Sequence, residues 1–232
     1  MELTRTTDEI EQRRAALESR LRSAAERAGR DPDAFRIVAV TKTFPIEVVR
    51  AAWDAGLGCF GENRVQEALP KVAALPDADW HLVGHLQSNK VRRAIGAFSM
   101  IHSVDSIGLL RRIDAVAHDL DRRPDLLLQV NLAGEASKFG FEAGALDEPE
   151  LGRVIGELRA ARVSGLMTIG PHHQDPRPTF AWLRQLRDAL QDRLRTALPE
   201  LSMGMSADAE AAVAEGATLV RIGTALFGAR PA

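Results

Sequence analysis

Lys42 is the residue of this chain with the most chemistry within reach. It stands just past the apolar run Ile37-Val38-Ala39-Val40, so its amine belongs at the edge of a water-poor interior. Burial disfavours the ammonium form and lowers a lysine pKa, and a neutral amine can attack an aldehyde to form an imine. Spacing alone leaves a surface lysine capping a strand equally open. A second set lies far along the chain, where Gly204-Met205-Ser206 and Gly223-Thr224 each separate an apolar run from a helical stretch. Glycine admits close backbone approach, and amides at two helix starts, with the Ser206 and Thr224 hydroxyls, could cradle a dianionic phosphate. Taken singly, each is equally an ordinary cap or turn. Arg221 could pair with that phosphate, with Glu62, or with the ring nitrogen of a heterocycle, or belong to a structural ion pair. His85 and His102 are acid/base candidates, although histidines near strand ends are more often hydrogen-bonded core or rim groups. Asn63 and Asn131 could bind polar ligand edges or satisfy loop backbone.

The elements that must position these groups repeat. Short apolar runs at 36–41, 57–60, 80–84, 100–104, 126–131, 163–169, 201–203 and 218–222 read as strands. Between and after them, stretches at 45–55, 64–73, 88–97, 106–120, 148–160, 179–197, 207–214 and 224–227 mostly carry an apolar stripe at helical period. Strand then helix, eight times over, predicts an α/β fold, a single (β/α)8 TIM-type barrel over 36–228. An extra N-terminal helix within 1–30 has Ile10, Leu17, Leu21 and Ala24 as its apolar face. An open doubly wound sheet is the alternative, but no GxGxxG follows the first strand to favour it. No linker or composition shift divides residues 1–232, so one domain is expected. In such a barrel the chemistry sits at the carboxyl ends of the strands, which is where the polar candidates fall.

Composition removes other classes. The 30 basic and 32 acidic residues give a net charge of -2, too little field to hold nucleic acid by counterion release. No run approaches the ~18 apolar residues of a membrane span and no signal-peptide core follows Met1, so no membrane partner and a cytoplasmic location are expected. A lone cysteine, Cys59, forms no internal disulfide, and no Cys/His spacing suggests a metal cage. No long apolar stripe is left over for self-association, so a monomer is expected.

Blocks along nearly the whole chain carry a resemblance: Ala39-Val40-Thr41-Lys42-Thr43, Phe60-Gly61-Glu62-Asn63-Arg64-Val65-Gln66-Glu67, Trp80-His81-Leu82-Val83-Gly84-His85-Leu86-Gln87-Ser88-Asn89-Lys90 and Ile101-His102-Ser103-Val104-Asp105. They continue with Gln129-Val130-Asn131, Ser137-Lys138-Phe139-Gly140, Gly165-Leu166-Met167-Thr168-Ile169, Ser202-Met203-Gly204-Met205-Ser206 and Val220-Arg221-Ile222-Gly223-Thr224-Ala225-Leu226-Phe227-Gly228. In these the sequence closely resembles the YggS/PROSC family of pyridoxal phosphate homeostasis proteins, whose barrel is similar to that of the alanine racemase N-terminal domain. The resemblance implies a pyridoxal 5′-phosphate (PLP) cofactor held as a Schiff base on Lys42. It implies a phosphate held by Ser206, Gly223 and Thr224, Arg221 beside the pyridine nitrogen, and Asn63 and Met203 near the cofactor. His85, Asn131, Met167 and Lys138 would form the rim. An arginine beside the ring will not give up a proton, so a strong electron sink is not built.

The implied role is intracellular PLP homeostasis, buffering the cofactor or delivering it to PLP-dependent apoenzymes, with free amino acids able to displace it and without strong catalysis. The alternative is a PLP-dependent amino-acid racemase. Racemisation needs a base on each face of the α-carbon; in that enzyme class a tyrosine supplies one, and this chain contains no tyrosine. The racemases' second, β-rich domain is not found in the 232 residues either. Where the family often has Tyr this chain has Arg64, and its loop at 133–136 is less bulky.

Overall fold

The computed structural model of the protein describes residues 6–132, 139–171 and 174–229. Helix α1 (Thr7–Arg27) begins at Thr6, whose hydroxyl accepts from the Glu9 amide at 3.3 Å while the Glu9 carboxylate reaches back to the Thr6 amide. This reciprocal box satisfies two donors that a helix start otherwise leaves unpaired. Ile10, Leu17, Leu21, Ala24 and Ala25 form the buried face of α1.

Strand and helix then alternate: β1 (Arg36–Val40), α2 (Ile46–Asp54), β2 (Cys59–Glu62), α3 (Val65–Ala74), β3 (Asp79–Leu82), α4 (Val91–Ala97), β4 (Met100–Val104), α5 (Ile107–Asp119) and β5 (Asp125–Gln129). They continue through α6 (Pro149–Gly156), β6 (Arg162–Met167), α7 (Arg177–Leu194), β7 (Glu200–Ser202), α8 (Ala209–Ala214), β8 (Leu219–Ile222) and α9 (Thr224–Phe227). Short 3-10 turns at Ser88–Lys90 and Ala143–Asp147 precede α4 and α6. Each strand pairs in parallel with the next, and β1 pairs with β8 through Arg36–Leu219 to Ala39–Ile222, closing the barrel. The eight-stranded barrel expected from the sequence is what forms.

Alternate strand residues face opposite sides, which yields two apolar layers. Val38, Cys59, Met100, Leu127, Met167 and Leu219 pack inside the barrel, while a larger set that includes Ala39, Phe60, Leu82, Leu166 and Met203 packs between strands and helices. The boundary of β2 departs from expectation. Read as ending at Phe60, it runs on through Glu62, a fully buried carboxylate. Helix α1 lies across α8, α2 and α9, and so covers the seam where β8 meets β1. Arg20 pairs with Glu210 at 2.6 Å, and Arg13 donates to the Leu226 carbonyl at 3.3 Å. No helix among the described residues is long and apolar enough to cross a membrane.

Candidate functional site

At the carboxyl end of the barrel a cavity of about 310 Å³ is lined by Lys42, Asn63, Met167, Ser206, Arg221, Gly223 and Thr224, with Val40, Phe44, Val83, Ile169 and Met205 as apolar wall. Lys42 enters it because it continues the inward parity of Val38 and Val40. Thr41 has the outward parity and is buried. The Thr41 hydroxyl donates to Glu62 Oε1 at 2.6 Å, and Lys71 Nζ bonds both that oxygen (2.7 Å) and the Thr41 carbonyl (2.8 Å). Thr43 turns the chain with φ 68°, a left-handed conformation that costs energy for a β-branched residue. The Lys71–Glu62 pair therefore grips the backbone directly before Lys42, while α3 supplies the lysine that neutralises Glu62. Sequence spacing had left Glu62 as one possible partner of Arg221; its partners are Thr41 and Lys71 instead. Asn63 is placed by a close approach, since a Cβ on Gly84 would stand 2.2 Å from the Asn63 carbonyl oxygen.

Arg221 is buried, donating from Nη1 to Ser202 Oγ at 2.6 Å and from Nη2 to the Thr168 carbonyl at 2.8 Å. Burial pulls its pKa down to about 10, against the opposing pull of Asp208, so it stays a cation at neutral pH. Among the described residues no carboxylate forms an ion pair with it. A desolvated guanidinium whose visible acceptors are neutral favours an anion or a lone pair arriving from the cavity. Beside it the two glycine loops are knitted together: Ser206 Oγ accepts from the Ala225 amide in the first turn of α9 at 3.1 Å. Ser206 thus caps the helix after β8 rather than its own, and its hydroxyl proton remains to be donated. Gly204 sits at φ 90°, where a Cβ would meet Ala212 Cβ at 2.5 Å, so the loop can pass α8 only without a side chain.

The remaining expected residues separate. Met167 lines the cavity, whereas Met203 does not: its buried side chain belongs to the layer between strands and helices. His85 faces an adjoining hollow with Asn63, Arg64, Gln87 and Lys90; its Nδ1 lies 3.2 Å from Asp105 and its ring stacks on exposed Phe139 at 3.8 Å. Asn131 follows β5, its amide bonded to the Phe141 carbonyl at 2.9 Å, and is not among the residues lining the cavity. Lys138 lies outside the described residues. His102 sits fully buried inside the barrel, bonded to Ser202 and His81, beneath the cavity rather than in it.

Lys71 and the Asp79–His81 pair went unnoticed in the sequence, where a lysine inside a helix and a histidine inside an apolar strand carry no signal. Donor atoms of Cys59, Asp79 and His81 do come within 4.8 Å of one another. The Cys59 sulfur, however, is 3.7 and 3.6 Å from the two His81 nitrogens. A sulfur so nearly equidistant faces the ring rather than a lone pair, and burial pushes the thiol up to about 12. That is packing, not coordination geometry.

Comparisons with known proteins show the family and the fold. A family model described as the alanine racemase N-terminal domain matches residues 13–231. The pyridoxal phosphate homeostasis protein of Aquifex aeolicus is 47% identical over 216 residues, 91% of this chain and 94% of that one. The protein of the same name from Pseudomonas aeruginosa is 45% identical over 224 residues, 93% and 94% of the two chains. Among solved structures, PipY of Synechococcus elongatus with PLP bound is similar with a TM-score of 0.83 at 42% identity, covering 94% of this chain and 100% of that one. An alanine racemase of Clostridium difficile reaches a TM-score of 0.72 at 14% identity over 86% of this chain and 54% of that one, a likeness of fold alone.

Proposed function

This chain belongs to the alanine racemase N-terminal domain family and, within it, to the pyridoxal phosphate homeostasis proteins, and from that premise we propose that it holds PLP on Lys42 and serves as an intracellular PLP reservoir. The observation that carries the reading is the convergence, in one cavity, of an amine just past β1, two knitted glycine loops and a buried guanidinium. The residues fit the group. Ser206, Gly223 and Thr224 would take the phosphate, Arg221 the pyridine nitrogen, and Asn63 and Met167 the ring. When bound, PLP supplies an aldehyde carbon with which the Lys42 nitrogen forms a C=N bond as water leaves.

A reservoir needs reversible holding rather than turnover. Among the described residues lining the cavity, Lys42 and Arg221 are the only ionisable ones, and Arg221 does not act as a base near neutral pH. One base on one face suits amine exchange and leaves a racemase without its second. Free amino acids would therefore displace the cofactor without being interconverted, and PLP-dependent apoenzymes would be the recipients. We further read residues 1–232 as one domain acting as a cytoplasmic monomer.

The test is the absorbance spectrum of the PLP-loaded protein and of Lys42→Ala, before and after borohydride, with peptide mass at residue 42. A band that depends on Lys42 and a reduced adduct on that peptide are expected. A band that survives in Lys42→Ala would end the assignment.

A further inference from the structure

A single file of buried polar groups runs down the barrel axis from the cavity to the opposite mouth. Arg221 Nη1 lies 2.6 Å from Ser202 Oγ, Ser202 Oγ 2.8 Å from His102 Nδ1, His102 Nε2 3.0 Å from His81 Nδ1, and His81 Nε2 3.1 Å from Asp79 Oδ2. The members come from β8, β7, β4 and β3 and, up to His81, none is more than 6% exposed. At the far mouth Asp79 is also held by Arg36 at 2.9 Å and by the Ser99 hydroxyl.

With both imidazoles neutral, the carboxylate end fixes the direction of every link. A guanidinium only donates and a carboxylate only accepts. Asp79 takes the His81 Nε2 proton, which leaves His81 Nδ1 bare to accept from His102 Nε2. The bare His102 Nδ1 then accepts the Ser202 proton, while Arg221 donates to a Ser202 lone pair. In that arrangement each imidazole carries its proton on Nε2. Independently, burial holds His102 well below its ordinary pKa, and the bond from His81 is the largest cause of a lowered Asp79 pKa.

We propose that this file is a one-way hydrogen-bond relay in which Asp79, His81 and His102 are positioning residues, fixing through Ser202 the stance of Arg221 toward the ring nitrogen of the bound ligand. This rests on the PLP reading given above. The relay turns Ser202 into an acceptor committed to Arg221, so that guanidinium cannot swing toward the barrel interior and its remaining donors stay with the cavity. Hydrogen bonds in series polarise one another, most strongly where water is absent, so the carboxylate at one mouth strengthens the acceptor at the other.

Two measurements test it. Histidine 15N spectra of the ligand-free protein should show His102 and His81 as neutral Nε2-H tautomers, and Asp79→Ala should let His81 mix its tautomers. PLP titrations that follow the Schiff-base band should show Ser202→Ala and His102→Leu each weakening binding by roughly tenfold and moving the band, with the double variant no worse than either alone. Ser202→Ala removes one oxygen atom and keeps the comparison available if His102→Leu does not fold. An Nδ1-H tautomer at His102, additive losses, or an unmoved band in folded variants would overturn the relay. A wild type with the expected tautomers but no band would instead sink the cofactor reading, and the positioning role with it.

Discussion

His102 shows how much a single buried side chain can impose. Its folded-state pKa lies below the ordinary value of 6.5 because burial penalises the imidazolium, with the Arg221 charge adding to the effect. The unfolded chain takes up this proton near pH 6.5 and the folded chain does not. Stability is therefore indifferent to His102 above that pH and falls as pH drops beneath it, at up to about 1.4 kcal/mol per pH unit. Asp79 acts in a separate window. Its folded pKa is depressed, chiefly by the bond from His81, so its contribution is present above the ordinary 3.8 and is lost as pH falls further. Urea unfolding from pH 7.5 to pH 3 should resolve the two declines, and a folded His102→Leu should lack the first. Equal slopes for wild type and variant between pH 6.5 and 5 would contradict a buried neutral imidazole.

Between elements, the link with the largest leverage joins α3 to the end of β1. Lys71 of α3 compensates Glu62 of β2, and both hold Thr41. Lys71→Met leaves a desolvated carboxylate behind and should cost about 3–5 kcal/mol, whereas Lys71→Met combined with Glu62→Leu should recover most of that loss, as read by thermal or urea unfolding. A double variant as weak as the sum of the singles would mean the two residues act independently. This clamp also marks where the sequence stopped being readable. The strands at β1, β4 and β8 announced themselves as apolar runs, and the barrel followed from counting them. Glu62 and the polar residue after it broke the run of β2 because a charge paired by a helix nine residues on leaves no local trace. The resemblance implies Met203 near the cofactor, yet pleat parity turns it outward into the strand–helix layer. Residue type at strand ends left Lys42, Ser206, Arg221, Gly223 and Thr224 open between chemistry and ordinary capping, and all five line the one cavity. The relay was not, because Ser202 and His102 meet across 100 positions of sequence.

Across the whole molecule, ligand and fold are coupled through the closed barrel. Anything that binds only the folded state stabilises it by RT ln(1 + [L]/Kd), about 2.7 kcal/mol at a hundredfold excess over Kd. PLP should accordingly raise the unfolding midpoint of wild type, and Lys42→Ala should retain only the smaller rise that phosphate and ring contacts supply. Identical shifts in the two proteins would show that the covalent bond adds nothing to holding. The pairing of β1 with β8 gives this coupling a further meaning. Lys42 follows the first strand and Arg221, Gly223 and Thr224 lie on or just after the last, so the amine faces the groups that would hold the ring nitrogen and part of the phosphate only across a completed seam. A chain with seven strands in place would carry the reactive nitrogen with Ser206 as the one residue of the anion seat. Retention of the cofactor would then act as a check on finished assembly, visible as colour that arrives with the eighth strand.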